Sequence, residues 1–231
     1  MIQDYQQFVE TLLRAGFSLG GGNPKGIYAI IDWGWLHEPP YPSPIRWHTG
    51  DPETDPWEWR MRVLHERNDI AYGKVFFKQS GFITKQWYPY FLAARRNNTS
   101  FQTAYEAGLM SHHAKAIYQA VADNGVLPSH MIKTAAGFTK AEKPAFERAL
   151  VELQMAMYLT MCGQQIKISK TGAEYGWSAN VFCTTDVFFG ADIMAQANGL
   201  TQDEAYEAIR KQVLKLNPEA TDKNIQKFIL G

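Results

Sequence analysis

The sequence predicts an α+β fold that is mainly helical. Apolar residues recur at helical spacing between capping residues and glycine stops, and short apolar runs bounded by turn residues predict strands. The 231 residues are 45% hydrophobic and 20% charged, which excludes a mainly disordered chain. No apolar run approaches 18 residues, so we expect no membrane-spanning helix. The N-terminus lacks a basic region followed by an apolar run, so we expect no secretory signal.

The first 110 residues are predicted to form one irregular region with helices and a strand pair. Residues 4–15 have helical spacing and stop at Gly16. A Pro- and Gly-rich stretch from Ser18 to Pro56 contains only one strand candidate, the run IYAIID. The remaining elements are a helix from Pro56 to Arg67, a strand over 70–77, a turn at Gln79–Gly81, a helix from a cap at Thr84 to Arg96, and a short helix after Ser100.

Residues 111–190 show a clearer pattern. Ser111 and Gly125 bound one helix, a second runs from Ser129 to Ala136, and a third begins at Thr139 and ends near Met155. Strands are predicted in YLTMCG, QQIKIS and VFCTTD. Three helices followed by a β-hairpin is the order of a winged helix, in which the last two helices form a helix-turn-helix and the hairpin is the wing. Residues 191–231 add helices that cover the core or form a dimer.

Charge does not decide the partner. The chain carries 23 basic and 23 acidic residues, which argues against a protein that coats nucleic acid by bulk charge. Residues 111–178 nevertheless carry 7 basic against 5 acidic residues, and residues 179–231 carry 5 against 7. Lys140, Lys143 and Arg148 on the third helix, with Lys167 and Lys170 on the wing, are candidate phosphate contacts. The alternative is a solvated surface with ordinary lysines.

The segment from Trp47 to Arg60 is acidic and rich in tryptophan. Five of the seven Trp residues lie between Trp33 and Trp59, where a stretch without regular structure must be held by large side chains. Asp51, Glu53 and Asp55 are candidate acid–base residues for a glycosylase-like reaction or a small-ligand site. The alternative is a helix start, with Asp55 as the N-cap, Pro56 at the first position and Glu58 closing a capping box.

No motif predicts a metal or a cofactor. There is no phosphate-binding G-x-x-x-x-G-K-[ST], no G-x-S-x-G and no H-E-x-x-H. The two cysteines, Cys162 and Cys183, form no C-x-x-C. They indicate free thiols in a cytoplasmic protein, with a single structural disulfide as the alternative.

Several long segments resemble a group of bacterial proteins described as AlkZ-related, which are grouped with the winged-helix crosslink-repair DNA glycosylases. The resemblance covers roughly Asp4 to Phe189 and is carried by WHTGDPETDPWEWR, AYGKVFFKQSGFITKQWYPYFLAARR, ALVELQMAMYLTMCGQ and EYGWS. It implies tandem winged-helix units, duplex DNA as the partner, and excision of alkylated or crosslinked bases. The glycosylases' Gln-apolar-Gln or Gln-apolar-Asp motif is not present, so no catalytic residue can be transferred.

Three functions follow from these observations. The first is a DNA-binding protein related to the repair glycosylases, in which Tyr175 and Trp177 at the wing tip stack on a base or wedge into a base step. For Trp177 the alternative is that it closes the wing over the core. The second is an enzyme that uses the acidic, Trp-rich loop. The third is a regulatory or protein-interaction module, which the neutral charge favours because DNA-binding proteins tend to be basic. Elution as a stable homodimer without DNA affinity would favour this third function.

Overall fold

In the computed structural model, residues 1–168 and 174–231 are described, with side chains over 1–166 and 178–231. The helices of these ranges are α1 (Tyr5–Ala15), α2 (Pro56–Glu66), α3 (Tyr88–Arg96), α4 (Phe101–Glu106), α5 (His112–Asn124), α6 (Ser129–Ala135), α7 (Lys143–Met155), α8 (Thr185–Phe189), α9 (Ala191–Asn198), α10 (Gln202–Leu216) and α11 (Asp222–Leu230). The strands are β1 (Phe17–Leu19), β2 (Ile70–Phe76), β3 (Gln79–Thr84), β4 (Val126–Pro128), β5 (Leu159–Ile168) and β6 (Glu174–Thr184). The α+β class is confirmed, with helices making up about half of the chain.

The six strands form one antiparallel sheet in the order β1-β3-β2-β5-β6-β4. The first three strands of the chain therefore occupy one half of the sheet, and the last three occupy the other half. The halves meet where β2 pairs with β5, with Tyr72 opposite Met161. This pairing joins segments about ninety residues apart in the chain, so it fixes the two halves of the molecule against each other.

Local capping explains why several helices begin where the sequence predicts. The Asp4 carboxylate accepts a hydrogen bond from Gln7 N–H at 2.8 Å, and the Ser111 hydroxyl accepts one from Ala114 N–H at 3.1 Å. Such bonds satisfy N–H groups that have no partner in the first helical turn. At the other end, Gly16 and Gly125 have positive φ values of 92° and 77°, which glycine adopts without steric cost.

Two hydrophobic cores lie on the sheet. The first contains side chains of α1, α2, α5 and α7, and at its centre Phe8 packs on the fully buried Trp59 with ring centroids 4.9 Å apart. The second contains α3 and the C-terminal helices α9, α10 and α11. Here Phe76 of β2 stacks on Phe228 of α11 at 4.1 Å. Aromatic pairs of this kind add to the free energy of burial.

Some predicted boundaries are wrong, for identifiable reasons. The run IYAIID is not a strand; it is held to β1 through Leu19 N–H to Tyr28 O and Ile30 N–H to the Ser18 hydroxyl, without a regular ladder. The hairpin turn lies at Phe77–Lys78, whose φ values of 53° and 62° fit a tight two-residue turn. The predicted turn at Gln79–Gly81 is instead the beginning of β3.

Two helices begin later than predicted. The helix expected from Thr84 begins at Tyr88, with Pro89 in its first turn. The helix expected from Thr139 begins at Lys143, with Pro144 in its first turn. Proline suits the first turn because it has no N–H to satisfy there. The Glu142 carboxylate accepts bonds from the N–H and hydroxyl of Thr139, so it ties down the preceding turn instead of closing a capping box on a helix.

The C-terminal strands are longer than predicted. YLTMCG and QQIKIS form the single strand β5, with an irregularity between Met161 and Gly163, and β6 begins before VFCTTD. The sequence did not reveal β4, α8 or α9. Cys162 and Cys183 are free thiols on β5 and β6. Within the described ranges, no helix has both the length and the apolar character needed to cross a membrane.

Candidate functional site

A groove of about 970 Å³ runs along the outer face of α7, and we call it the basic groove. One side is formed by α7 residues that point away from the core, including Arg148, Val151 and Met155. The cationic residues that line it come from β2, the turn after it, α3 and α7: Lys74, Lys78, Arg95, Arg96 and Arg148. The carboxylates that line it are Glu147 and Glu152. The groove is therefore predominantly positive.

Gln154 fixes α7 against the strand that carries Lys74. Its side-chain oxygen accepts a hydrogen bond from Lys74 N–H at 2.9 Å, and its amide donates to Leu150 O at 2.9 Å. Gly73 makes this approach possible, because a Cβ there would lie 3.2 Å from the Gln154 oxygen. The Gln154 side chain is buried, so it positions the groove wall rather than facing solvent.

The two carboxylates of the groove already have partners. Glu152 accepts hydrogen bonds from the N–H and the hydroxyl of Ser111, both at 2.7 Å. Glu147 lies 3.7 Å from the Lys143 ammonium. Arg148 and Lys74 are exposed to solvent. Both carboxylates keep their negative charge, and the groove is positive because five cationic residues line it against these two.

Arg95 has a structural role inside the groove wall. Its guanidinium donates to Val75 O, Met155 O and Phe228 O at 2.8 Å and to Ile229 O at 2.7 Å. These carbonyls belong to β2, to the end of α7 and to α11. Burial lowers the pKa of Arg95 to about 10, which still leaves it protonated at neutral pH. The next residue, Arg96, lies over the Tyr158 ring at 4.4 Å.

A second cavity of about 910 Å³ also borders the β2–β3 hairpin, and we call it the tryptophan cleft. Its walls include Trp33, Trp35, Trp47 and Trp57 together with the Gly20–Gly22 backbone. Lys74 and Lys78 line both this cleft and the basic groove. The loop from Trp47 to Arg60 is therefore next to the α7 groove and not on the opposite face of the molecule.

The cleft walls are held by aromatic packing. The His48 and Trp57 rings lie 4.8 Å apart, and Trp35 is 5.9 Å from each of them. The Arg60 guanidinium lies over the Trp57 ring at 3.4 Å. Gly21 has a φ of 151°, and a Cβ there would come within 2.6 Å of the Trp47 ring. The glycine run thus allows tight packing against indole rings.

The three candidate carboxylates of the acidic loop do not line the cleft. Asp55 is fully buried, and its oxygens accept N–H bonds from His48, Gly50 and Trp57 at 2.8–3.1 Å. Asp51 accepts from Glu53 N–H and the Thr54 hydroxyl, which lowers its pKa. The N-cap role of Asp55 is confirmed. The predicted capping box is not formed, because the Asp55 N–H donates to Asp51 O at 2.9 Å.

Glu53 faces outward and forms an ion pair with Arg62 at 2.7 Å. In the part of the chain that the structure describes, no group of three or more His, Cys, Asp or Glu side chains could hold a metal ion.

The structure brings together only part of the predicted DNA-contact set. Arg148 lines the basic groove, whereas Lys140 and Lys143 are exposed at the beginning of α7, outside the groove lining. The side chains of Lys167, Lys170, Tyr175 and Trp177 lie outside the described residues.

Sequence reasoning missed four cationic residues of the groove, Lys74, Lys78, Arg95 and Arg96. Two sequence features point toward them in hindsight: Lys74 is the single charged residue within the strand run IAYGKVF, and Arg95 and Arg96 are adjacent at a helix end.

Comparison with known proteins gives one match. The profile of the AlkZ-related family matches residues 2–230, which is nearly the whole chain. Neither the curated proteins nor the solved structures give a match.

Proposed function

The chain belongs to the AlkZ-related family, and on that premise we propose that it binds duplex DNA as a winged-helix relative of the alkylation- and crosslink-repair DNA glycosylases. The partner is the duplex, and the contact surface is the outer face of α7 with the basic groove beside it.

The observation that carries this proposal is the order and pairing of elements between His112 and Thr184. Helix α5 is followed by the short strand β4, the helices α6 and α7, and the hairpin β5–β6. Strand β4 returns to pair with β6, with Val126 opposite Cys183 and Pro128 opposite Val181. A helix-turn-helix followed by a hairpin, with the first strand closing the small sheet, is the arrangement of a winged helix. In it α7 is the recognition helix.

A tandem arrangement is supported by the sheet order. The half β1-β3-β2 mirrors the half β4-β6-β5, and in each half the first strand pairs with the third. In the first half, α1 precedes β1, and α2 precedes the hairpin β2–β3, as α7 precedes β5–β6. Residues 20–55 stand where the second unit has α6. We therefore propose one unit within residues 1–110, a second within 111–190, and C-terminal helices over 191–231.

The electrostatic arrangement suits a phosphate backbone. Arg148 of α7 and the lysines of the β2–β3 hairpin line one groove, in which five cationic residues stand against two carboxylates. Phosphate contacts of this kind supply affinity and register without reading sequence. We also propose Lys140, Lys143, Lys167 and Lys170 as phosphate contacts, the last two on their place in the sequence alone.

We propose DNA binding for this protein and no catalysed reaction. The family's glutamine motif is missing, and the buried Gln154 is fully engaged by Leu150 O and Lys74 N–H. The acidic loop offers no exposed pair of carboxylates in the cleft. No observation therefore favours Asp51, Glu53 or Asp55 as catalytic residues over their roles in the loop.

The test is a fluorescence anisotropy titration of a labelled 20-base-pair duplex at several KCl concentrations. If Lys74, Lys78 and Arg148 each neutralise one phosphate, log K should fall against log salt with a slope of about −3, at roughly −0.9 per contact. Arg148→Ala and Lys74→Ala should each weaken binding several-fold and reduce the slope by about one. Size-exclusion chromatography of the same protein, with and without duplex, reports whether a homodimer forms.

The matched control is Lys211→Ala. Lys211 is an exposed cation on α10 and lines neither cavity, so its removal changes net charge equally but should leave the slope unaltered. Failure of the wild type to bind at low salt would overturn the proposal and favour a protein-interaction module. Equal effects of Lys211→Ala and Arg148→Ala would show that binding follows bulk charge and that α7 is not the contact surface.

A further inference from the structure

We propose that the tryptophan cleft binds a nucleobase that has left its base stack, taken from a strand whose phosphates lie at Lys74 and Lys78. This inference rests on the proposed DNA binding and adds a second ligand subsite to it. The ligand is one base of a nucleic acid strand, purine or pyrimidine.

The first argument is the shape and chemistry of the walls. The cleft is bounded by indole rings, and Trp35 is 54% exposed beside an open cavity. Although Trp35 contacts the His48 and Trp57 rings, more than half of its surface remains open to solvent and available for a further apolar contact. Every nucleobase has a π-face, and stacking on an aromatic side chain is the usual way a protein holds an unstacked base.

The second argument is the charge around the cleft. Arg60 lines it and lies over Trp57, so a cation and an indole face stand together at one wall. Two carboxylates stand at the rim: Glu38, which lies 3.4 Å from the Arg46 guanidinium, and Asp32, which accepts a 3.5 Å bond from the Tyr41 hydroxyl. Carboxylate oxygens can accept hydrogen bonds from the exocyclic amino groups of bases.

The third argument is continuity with the basic groove. Lys74 and Lys78 line both cavities, which therefore adjoin at the β2–β3 hairpin. A strand that places a phosphate at these lysines therefore has a neighbouring base at the mouth of the cleft. A free aromatic metabolite would not need cations shared with a groove, so the shared lysines favour a base that belongs to a strand.

The experiment compares two labelled duplexes that differ by one unpaired adenine bulge, at the same salt concentration. The bulged adenine has lost its pairing, so it enters the cleft at lower cost than a paired base. Wild-type protein should bind the bulged duplex roughly 5- to 150-fold more tightly, the range expected for one base stacked on an aromatic side chain. Tryptophan fluorescence should be quenched by the bulged duplex more strongly than by the intact one.

Trp35→Ala should reduce this preference to near one while leaving affinity for the intact duplex within about twofold of wild type. Because Trp35 is largely exposed, the variant should keep its fold, which a thermal melt verifies. Leu36→Ala is the matched control: Leu36 is the adjacent residue, 85% exposed and outside the cleft lining, and its removal should keep the full preference.

The possible outcomes distinguish a failure of base binding in the cleft from a failure of DNA binding itself. Equal wild-type affinity for the two duplexes, or an undiminished preference in Trp35→Ala, would overturn the base-binding cleft while DNA binding stands. Loss of the preference in Trp35→Ala but not in Leu36→Ala would support it. Absence of binding to either duplex would reject DNA binding itself, and the cleft assignment with it.

Discussion

Replacing Arg95 by leucine should destabilise the fold more than any other single change of a groove residue. The guanidinium donates four hydrogen bonds to carbonyls of β2, α7 and α11, at 2.7–2.8 Å. A single side chain therefore holds β2, the end of α7 and α11 together. Leucine keeps an apolar stem but leaves all four carbonyls without this donor.

The size of the effect can be worked from these bonds. Hydrogen bonds to a charged group contribute about 2 kcal/mol each, so four give roughly 8 kcal/mol. Burial opposes this, because it lowers the pKa of Arg95 from 12.5 to about 10, which corresponds to about 3 kcal/mol at about 1.4 kcal/mol per pKa unit. The net loss in Arg95→Leu should be about 5 kcal/mol, and the melting temperature should fall by roughly 10–20 °C.

Urea unfolding followed by far-ultraviolet circular dichroism measures this loss. The control is Arg96→Leu, one residue further along α3, which removes a 3.4 Å bond to Thr99 O and the contact with the Tyr158 ring. Its cost should be about 1 kcal/mol. Arg95→Lys should recover only part of the loss, because an ammonium cannot reach four carbonyls in a fixed fork. A loss below about 1 kcal/mol in Arg95→Leu would refute a stabilising role for the four hydrogen bonds of Arg95.

Two further changes probe the acidic loop and the first core. Asp55→Ala removes the acceptor for three backbone N–H groups and should lower the free energy of unfolding in urea by about 2–4 kcal/mol. The control is the exposed Asp51→Ala, which should lower it by under about 1 kcal/mol. Equal losses in the two variants would contradict a special role for Asp55. Burial, with a smaller contribution from nearby Glu66, raises the pKa of Tyr5 to about 12, so between pH 10 and 12 the unfolded chain loses a proton that the folded chain keeps. The free energy of unfolding should therefore fall across that window as pH rises. The phenolate absorbance difference between wild type and Tyr5→Phe should titrate near pH 12. A midpoint near pH 10 would contradict the effect of burial on Tyr5.

Local chemistry explains which elements could be predicted from the sequence. α1, α5 and α10 have a capping side chain, an apolar stripe and a defined end, all within one segment, and α10 also has the reciprocal bonds of Thr201 and Glu204. The run IYAIID shows the limit. It has strand composition and lies against the free edge of β1, but it bonds there through Leu19 N–H to Tyr28 O and Ile30 N–H to the Ser18 hydroxyl without a regular ladder.

The candidate site was less predictable than the helices because its residues converge from distant segments. Arg148 could be chosen from the sequence since it stands on an amphipathic helix that precedes a hairpin. Lys74 and Lys78 join it only because β2 pairs with β5 and Gln154 bonds to Lys74 N–H. No local pattern contains that pairing. The acidic loop misled for the opposite reason. Its carboxylates are close in sequence, but Asp51 and Asp55 accept hydrogen bonds from the loop itself and Glu53 pairs with Arg62.

The zero net charge of the chain does not argue against DNA binding once the residues that line the basic groove are known. Neutrality argues against DNA binding only if charge is spread evenly, and here five cationic residues and two carboxylates line one groove. Only a few lysines and arginines would then contact phosphate, so affinity should be modest and should fall steeply with salt. When few phosphate contacts are made, a single base held by indole rings changes the total binding energy appreciably. Substitution of Trp35 is therefore the change that best distinguishes base binding from DNA binding.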